Sequence, residues 1–406
     1  MKPSILLALL LTLANGGATA AAPDKAVLDR ATAHKPDAIA LVAKLVAIDS
    51  GTGNAKGMEQ IGAIVADEAR KLGMQVELLS AAPAAGNNLV ATAKGTGKAR
   101  ILLMAHMDTV FADGTAAARP FTVKGDRAYG PGVMDDKGGI VAALYALKIL
   151  HELKFTDYAR LTLFVNTNEE TFSKGSAPLI ERLAKEHDVV LTMEPGRPAD
   201  GLVVWRKGNA DLTIAVQGKA AHAGVAPETG RNAAMEAAHQ MLQMANLGAP
   251  AKLTTVNFTV FNAGDRINVI PNAATVRGDM RASDPAEFDR VEKEMARLAQ
   301  NKLIAETQVT TSVVRGMVPM PLLPRNEAIG KRAQEIYAEL GLKLGLEGSG
   351  GAADANISSN AGTPSIDGLG FVGGGIHTET EYLELNSIAP RLYLLTRMIM
   401  DLSGKK

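Results

Sequence analysis

The stretch Ile-Leu-Leu-Met-Ala-His-Met-Asp-Thr, residues 101–109, predicts both the fold and the place of the functional site. Its first five residues are apolar without interruption, which is typical of a strand buried between helices on both faces of a sheet. The strand ends in His106, followed two residues later by Asp108, and side chains two apart on an extended chain point the same way. Because open α/β sheets carry their sites at the carboxyl ends of strands, this pair marks a candidate site.

Two interpretations of the pair are open. A metal-bound histidine usually donates its other ring N–H to a carboxylate, which Asp108 could supply, but His106 could equally be a core histidine hydrogen-bonded by its neighbour.

The 406 residues include no cysteine, so disulfides, thiolate metal sites and a cysteine nucleophile are excluded. Any metal must be bound by histidine, aspartate or glutamate. The histidines are His34, His106, His151, His187, His222, His239 and His377.

Two further apolar runs also end in acidic residues. Residues 161–167 are followed by Glu169 and Glu170, and residues 189–193 are followed by Glu194. Paired carboxylates are costly to desolvate together unless a positive charge lies between them or one is protonated. They are therefore either fully solvated or functional, and three strands with such ends are hard to explain as solvated loops.

A glycine-rich segment, Tyr-Gly-Pro-Gly-Val-Met-Asp-Asp-Lys-Gly-Gly at 129–139, predicts a sharp loop that enters a helix. Asp135 and Asp136 lie at the helix start, where acidic residues are ordinary caps. The segment contains more charge and more glycine than a cap needs, which favours a functional role for the two aspartates.

Two more histidines lie in loops of small residues. His222 is flanked by glycine and alanine, which leaves room for close approach, although a lone exposed histidine usually belongs to an ordinary surface. His377 lies in a glycine-rich turn, and Glu379 and Glu381 follow it. A second glycine-rich loop at 348–354 enters a helix and predicts a backbone site for an anion.

The alternation of helices and strands predicts an α/β protein with a doubly wound, mostly parallel sheet. One helix is expected over 25–48. From about residue 207 the order changes to β-α-β-β-α-β, which predicts an inserted α+β domain of ferredoxin-like type. The predicted divisions are a signal peptide at 1–20, a catalytic domain at 21–206, the inserted domain at 207–317 and the rest of the catalytic domain at 318–406.

The charge balance gives no indication of a nucleic-acid partner, because Lys plus Arg and Asp plus Glu both number 43.

The first residues resemble an export signal: Lys2, an apolar run at 5–13, and small residues at Ala18 and Ala20 that fit a cleavage site. The run is too short to span a bilayer. We expect cleavage near Ala21 and a periplasmic or secreted mature protein without membrane attachment.

Taken together in this order, the motifs resemble the M20 family of zinc peptidases, and in particular its glutamate carboxypeptidase branch. The resemblance covers essentially the whole mature chain. The motifs that carry it are Met104-Ala-His-Met-Asp-Thr-Val, Gly130-Pro-Gly-Val-Met-Asp-Asp-Lys-Gly-Gly, Asn168-Glu-Glu, Met193-Glu-Pro, the His222 loop and Gly375-Ile-His-Thr-Glu.

The resemblance implies a site for two zinc ions in each subunit. Asp135 would bridge the ions, His106 and Glu194 would complete one ligand set, and Glu170 and His377 would complete the other. Zinc accepts such nitrogen and carboxylate ligands and keeps a position open for water.

The resemblance also implies roles for residues outside the ligand set. Glu169 would be the general base and Asp108 would orient His106. The inserted domain would be a lid and dimerisation domain of a homodimer, and its His222 would reach the partner's active site to stabilise the oxyanion. Asn268 and Arg281 would bind the free carboxylate of the substrate.

The predicted activity is an exported exopeptidase that removes a C-terminal amino acid, with glutamate favoured, from an N-acyl or peptide substrate. The alternative is an N-acyl-amino-acid amidohydrolase with a non-glutamate preference. A silent binding protein for small carboxylates is disfavoured because all five implied ligands and Glu169 are present. Asn168 stands where the family commonly has aspartate, and alanines occupy the loop at 350–354 where relatives often have Gly-Thr. We expect these departures to affect substrate preference and not metal chemistry.

Overall fold

The computed structural model describes residues 21–404, and all elements named here lie in that range. Short 3-10 helices include the turn Glu169–Thr171. The α-helices are α1 (Lys25–Ala33), α2 (Lys35–Val46), α3 (Ala55–Lys71), α4 (Thr115–Ala118), α5 (Lys137–Glu152), α6 (Ala177–Lys185), α7 (Ala233–Met244), α8 (Pro285–Leu298), α9 (Pro324–Ala338), α10 (Asp354–Asn360) and α11 (Ile388–Gly404).

The strands form one large mostly parallel sheet, one antiparallel sheet and several small pairings. They are β1 (Gln75–Ser80), β2 (Asn87–Lys94), β3 (Arg100–His106), β4 (Thr122–Lys124), β5 (Arg127–Tyr129), β6 (Arg160–Asn166), β7 (Val189–Thr192), β8 (Gly201–Arg206), β9 (Gly208–Gln217), β10 (Ala221–His222), β11 (Thr255–Ala263), β12 (Val269–Ile270), β13 (Ala273–Ala282), β14 (Gln308–Arg315), β15 (Gly345–Ser349), β16 (Ser365–Ile366), β17 (Gly373–Gly374) and β18 (Tyr382–Glu384).

The large sheet has the strand order β1-β2-β6-β3-β7-β16, in which β6, β3, β7 and β16 are parallel and β2 is antiparallel to both of its neighbours, β1 and β6. Strand β3 lies between β6 and β7. Ile101 and Leu103 join a core that includes α2, α5 and α11, whereas Leu102 and Met104 join a core on the other face that includes α6. Helices therefore cover both faces of β3, which explains its unbroken apolar run and confirms the doubly wound arrangement.

The antiparallel sheet β11-β13-β9-β14 has a hydrophobic core of its own, separate from those of the large sheet and called the second core below. Its strands and helices follow each other along the chain as β9-α7-β11-β13-α8-β14, and all neighbouring strands are antiparallel. Leu212, Val276 and Val291 are fully buried in this core. The β-α-β-β-α-β order confirms the ferredoxin-like prediction, whereas the domain boundaries at 207 and 317 stay predictions.

The structure differs from the expected elements in three places. The helix predicted over 25–48 is two helices, because Pro36 lacks the N–H that a continuous helix would need at this point. The strand β14 and the short β10–β12 pairing were not placed by the sequence patterns. In β14 the residues alternate between exposed and half-buried, so the strand has weak hydrophobic contrast.

No helix between residues 21 and 404 is both long enough and apolar enough to cross a membrane. The export signal predicted for residues 1–20 lies outside the described residues. The predicted localisation therefore rests on the sequence pattern alone.

One histidine is a structural group of the large domain. His187 is buried at the end of α6, where its Nδ1 donates to the Leu183 carbonyl at 2.6 Å and its Nε2 lies 2.9 Å from the Thr162 hydroxyl. Because a carbonyl only accepts, Nδ1 carries the proton and Nε2 accepts from Thr162. Burial lowers the pKa of His187 to about 4.

This histidine predicts a loss of stability in acid. Between about pH 6.5 and pH 4 the unfolded chain binds a proton that folded His187 does not, so the free energy of unfolding falls as pH drops, by up to about 3 kcal/mol. Thermal melts of the wild type and of His187→Gln from pH 7 to pH 4 measure the difference. The exposed His151→Gln is the control, and equal pH dependence in all three proteins would contradict the prediction.

Candidate active site

The carboxyl ends of three neighbouring strands converge on one point, because β6, β3 and β7 are adjacent and parallel. Strand β3 ends in His106, which lies opposite Asn166 at the end of β6. The turn after β6 carries Glu169 and Glu170, and Glu194 follows β7. The register of the sheet thus brings together acidic and imidazole side chains that are far apart in sequence.

Asp135 lies at the centre of this cluster, between the two histidines. Its Oδ1 is 3.1 Å from Nε2 of His106, and its Oδ2 is 3.3 Å from Nε2 of His377. Nε2 of His106 is also 3.6 Å from Oε1 of Glu194, and Nε2 of His377 is 3.1 Å from Oε2 of Glu170. Asp135 is therefore shared by two groups of potential metal ligands, one with His106 and Glu194 and the other with Glu170 and His377.

The donor atoms of both groups fit a divalent metal ion. Each group presents one imidazole nitrogen and carboxylate oxygens within 4.8 Å of one another, the ligand type that zinc accepts. Oε1 of Glu170 is buried and has no hydrogen-bond partner among residues 21–404. An enclosed carboxylate oxygen without a partner is costly, and a bound cation would satisfy it.

The electrostatics of the cluster also favour a cation. Burial raises the pKa of Glu194 to about 8, and Asp135 adds to the rise by repulsion. Burial, followed by repulsion from Glu194, raises the pKa of Glu169 well above its usual range. Burial alone would raise the pKa of Asp135, but hydrogen bonds with His106 and His377 hold it below its ordinary value. The described side chains around these buried carboxylates thus carry too little positive charge to balance the negative charge of the carboxylates.

Asp108 connects the cluster to the turn after β6. Nδ1 of His106 lies 3.0 Å from the main-chain oxygen of Asp108 and 3.3 Å from its Oδ1. The same carboxylate accepts the backbone N–H groups of Glu169 at 3.0 Å and Glu170 at 3.2 Å, and the Thr52 hydroxyl at 2.7 Å. Asp108 therefore contacts the His106 ring and accepts hydrogen bonds from the backbone of both glutamates.

Asp136 does not act as a helix cap. Its side chain makes no capping hydrogen bond to α5, and its Oδ2 accepts the backbone N–H of His106 at 3.1 Å. A Cβ atom on Gly139 would lie 1.8 Å from Oδ1 of Asp136 and 2.3 Å from the Met193 carbonyl oxygen. The glycine is therefore needed because the start of α5 packs directly against the ends of β3 and β7.

Two residues of the site were not recognised as such from the sequence. The buried carboxylate of Glu381 accepts the backbone N–H groups of Gly132 at 2.8 Å, Met134 at 2.9 Å and Asp135 at 3.0 Å. The amine of Lys137 is buried and donates to the Ile48 carbonyl at 2.8 Å. Glu381 follows His377 by four residues, but no local pattern distinguishes it from the exposed Glu379.

The other predicted site residues lie in different places. Arg281 lines a cavity of about 570 Å³ together with Asp135, Glu169, Glu170, Glu194 and His377. His222 and Asn268 are exposed and lie next to each other in the predicted inserted domain. The Ala223 N–H donates to the Asn268 carbonyl there at 3.0 Å. Neither of them lines this cavity within the described chain. Asn168 is buried, lies outside both ligand groups and accepts a hydrogen bond from Ser176.

Comparison with known proteins places this arrangement in a family. The profile of peptidase family M20/M25/M40 matches residues 102–401. Carboxypeptidase G2 of Pseudomonas sp. (strain RS-16) is 39% identical to this chain over 415 residues, and the alignment covers 100% of both chains. The match therefore spans both cores and all the clustered side chains.

Solved structures share the fold. A tripeptidase from Staphylococcus aureus superposes with a TM-score of 0.81 at 26% identity, covering 91% of this chain and 99% of that chain. An M20 family metallo-carboxypeptidase from Sulfolobus solfataricus has a TM-score of 0.72 at 16% identity, covering 90% of this chain and 99% of that chain. At that identity the second likeness shows the fold alone.

The role of Glu381 can be tested through metal binding. In Glu381→Gln an amide N–H₂ group would face backbone N–H donors, so the loop that carries Asp135 would lose part of its anchor. Because partners that orient ligands typically contribute 10–100-fold to metal affinity, we expect a loss of about that size. Zinc titration of Glu381→Gln against the exposed control Glu379→Gln measures it, and equal affinities would exclude an anchoring role.

Proposed function

The chain belongs to peptidase family M20, a family of metallopeptidases, and on that premise we propose that it is a di-zinc exopeptidase. It hydrolyses the amide bond to a C-terminal amino acid, with glutamate preferred, in N-acyl or peptide substrates. The observation that carries the proposal is the position of Asp135, whose two carboxylate oxygens face the imidazoles of His106 and His377 separately. We also infer that the protein is exported, from the signal-like residues 1–20.

The proposed zinc ligands are the five clustered side chains. His106 and Glu194 would hold one ion, Glu170 and His377 would hold the other, and Asp135, which belongs to both groups, would contribute to each. When bound, such a pair of ions polarises the scissile carbonyl and lowers the pKa of the attacking water.

Glu169 is the proposed general base. It lines the same cavity as the ligands, and its carboxylate makes no hydrogen bond to any described residue. Its backbone is fixed by Asp108, and burial raises the pKa of its carboxyl, which makes it a better proton acceptor than an exposed glutamate. Glu169 accepts a proton from water as the water oxygen bonds to the carbonyl carbon. It then passes this proton to the leaving amine nitrogen as the C–N bond breaks, giving a carboxylic acid and a free amino acid.

The domain around the second core, at 207–317, is proposed to be the lid and the dimerisation domain. Its edge strand β11 leaves Val260 and Phe261 exposed, and the neighbouring α7 leaves Met235 and Leu242 exposed. An open strand edge beside exposed apolar side chains is typical of a surface that another chain covers. A second copy of this chain is the proposed partner.

His222 is proposed to act in the partner's active site. Its Nδ1 accepts the backbone N–H groups of Gly224 and Val225, both at 3.2 Å. Because backbone N–H groups only donate, the ring carries its proton on Nε2. This exposed N–H is the type of donor that stabilises an oxyanion.

The activity is tested with a matched substrate panel and a base variant. The zinc-loaded protein is assayed on acetyl-glutamate, an aroyl-glutamate and a dipeptide ending in glutamate, and on the same three compounds ending in leucine. We expect cleavage with preference for glutamate. Glu169→Ala should retain both zinc ions and lose about 10²–10⁴-fold in kcat, whereas the exposed control Glu181→Ala should match the wild type.

The possible outcomes separate the alternatives. Cleavage that ignores the terminal residue would favour a broad amidohydrolase. No cleavage with two zinc ions bound would overturn the proposal in favour of a binding protein. Loss of zinc in Glu169→Ala would make Glu169 a ligand.

The cross-dimer role of His222 predicts complementation between two inactive variants. In a mixed dimer of His222→Ala and Glu169→Ala, one site has an intact Glu169 and receives an intact His222 from the other subunit. Random subunit exchange should therefore restore about one quarter of wild-type activity. Light scattering checks the dimer, and activity assays before and after mixing check the role. No recovery despite subunit exchange would place His222 outside the partner's site.

A further inference from the structure

Three arginines line the cavity that contains the clustered carboxylates: Arg197, Arg206 and Arg281. The resemblance assigns a substrate-binding role to Arg281 alone. An arginine guanidinium is a planar fork that suits carboxylate binding, and each of these three is near the site of reaction. Their hydrogen bonds to neighbouring residues decide which of them is available to a substrate.

Arg206 is largely occupied by the protein. Its Nε donates to Asp367 at 2.6 Å, and its Nη1 donates to the Ser349 hydroxyl at 3.3 Å and to the Gly351 carbonyl at 3.1 Å. Its Nη2 lies 3.7 Å from Oε2 of Glu194 and makes no hydrogen bond to a described residue. This buried side chain therefore has two of its three nitrogens committed to the protein, and the third faces a proposed metal ligand.

Arg281 is partly available. Its Nε donates to both carboxylate oxygens of Asp279, at 2.9 Å and 3.1 Å, and these are its side-chain hydrogen bonds among the described residues. Its terminal nitrogens thus have no hydrogen-bond acceptor in the described part of the chain. This arrangement holds the side chain in place and leaves one edge of the guanidinium for one substrate carboxylate.

Arg197 makes no side-chain hydrogen bond to any described residue. Its nearest carboxylate is Glu347, whose Oε2 lies 3.7 Å from Nε, beyond hydrogen-bond distance. Nε therefore forms a loose ion pair with Glu347, and it is enclosed without a hydrogen-bond partner among the described residues. Enclosed donors on a charged group are costly to leave unpaired, so the cavity holds a cation whose hydrogen-bonding capacity is unused.

We propose that Arg197 binds the side-chain carboxylate of an acidic C-terminal residue, while Arg281 binds the main-chain carboxylate of that residue. The cavity would then select an N-acyl dicarboxylic amino acid over a neutral one. This inference rests on the proposed function, since it assigns the specificity of the same active site. Its support is the guanidinium of Arg197, which lines the cavity and makes no hydrogen bond to a described residue, whereas Arg206 has Nε and Nη1 committed to protein acceptors.

The chain offers a matched pair of arginine variants for the test. Arg197→Gln removes the proposed cationic contact. Arg182→Gln, on the exposed face of α6, is the control, because Arg182 also lies 3.7 Å from a carboxylate, that of Glu186, but outside the cavity. The substrates are acetyl-glutamate and acetyl-glutamine, which have nearly the same shape and differ in one charge.

We expect Arg197→Gln to lower kcat/KM for acetyl-glutamate by about 10–100-fold, mainly through KM, because a charge-assisted hydrogen bond is lost. The value for acetyl-glutamine should change by less than about threefold, and Arg182→Gln should change neither. Binding of glutarate, a dicarboxylate that the enzyme cannot cleave, is measured by calorimetry in parallel. It should weaken in Arg197→Gln, whereas binding of the monocarboxylate butyrate should not.

The outcomes keep this inference separate from the proposed activity. Equal losses on both substrates would mean that Arg197 supports the fold of the cavity and would overturn the specificity role. Equal cleavage of both substrates by the wild type would leave the peptidase activity standing and overturn the acidic subsite. If the wild type cleaved neither substrate, the proposed activity would fail, and the glutarate measurement would still decide whether Arg197 binds a carboxylate.

Discussion

The cost of burying several carboxylates together constrains the rest of this structure. Asp135, Glu169 and Glu194 each lie below 10% exposure in one cavity. Removing a carboxylate from water costs several kcal/mol even after the protein relaxes, and neighbouring negative charges add to that cost. The two imidazoles of the cluster offset only part of it. Cations bound by the two groups of donor atoms around Asp135 would offset the rest.

Main-chain groups hold these side chains in place. Asp108 accepts the N–H groups of Glu169 and Glu170, Glu381 accepts three N–H groups of the loop before α5, and Asp136 accepts the N–H of His106. Each acceptor joins the end of one strand to a loop from another part of the chain. Charge-assisted hydrogen bonds of this kind are shorter and stronger than neutral ones, so the positions of the ligands follow from the backbone of the sheet. The anionic groups of the site thus include carboxylates that never touch the proposed metal ions.

The sequence predicted the parts of the site that follow directly from strand geometry. An apolar run that ends in His106 has one arrangement in a doubly wound sheet, and the same reasoning places Glu169, Glu170 and Glu194 beside it. Local patterns could not distinguish Glu381 from Glu379, because only the tertiary fold buries one of them. They could not place β14 either, since an edge strand with half-exposed residues has little hydrophobic contrast. Pro36 indicates the break between α1 and α2, but the apolar spacing on both sides of it favoured one continuous helix.

The three cavity arginines show why residue type alone does not assign a role. All three have the same charge and line the same space, yet Asp367, Ser349 and Gly351 occupy Arg206, Asp279 occupies one edge of Arg281, and Glu347 stays too far from Arg197 to accept a hydrogen bond. The difference between a structural guanidinium and a binding one is therefore set by acceptors at about 3 Å, which come from distant parts of the chain. A guanidinium that already donates most of its hydrogen bonds to the protein gains little from a substrate carboxylate, because it would have to give up equivalent bonds. One that makes no hydrogen bond to a described residue has less to give up, and selectivity for an acidic substrate would follow from that difference.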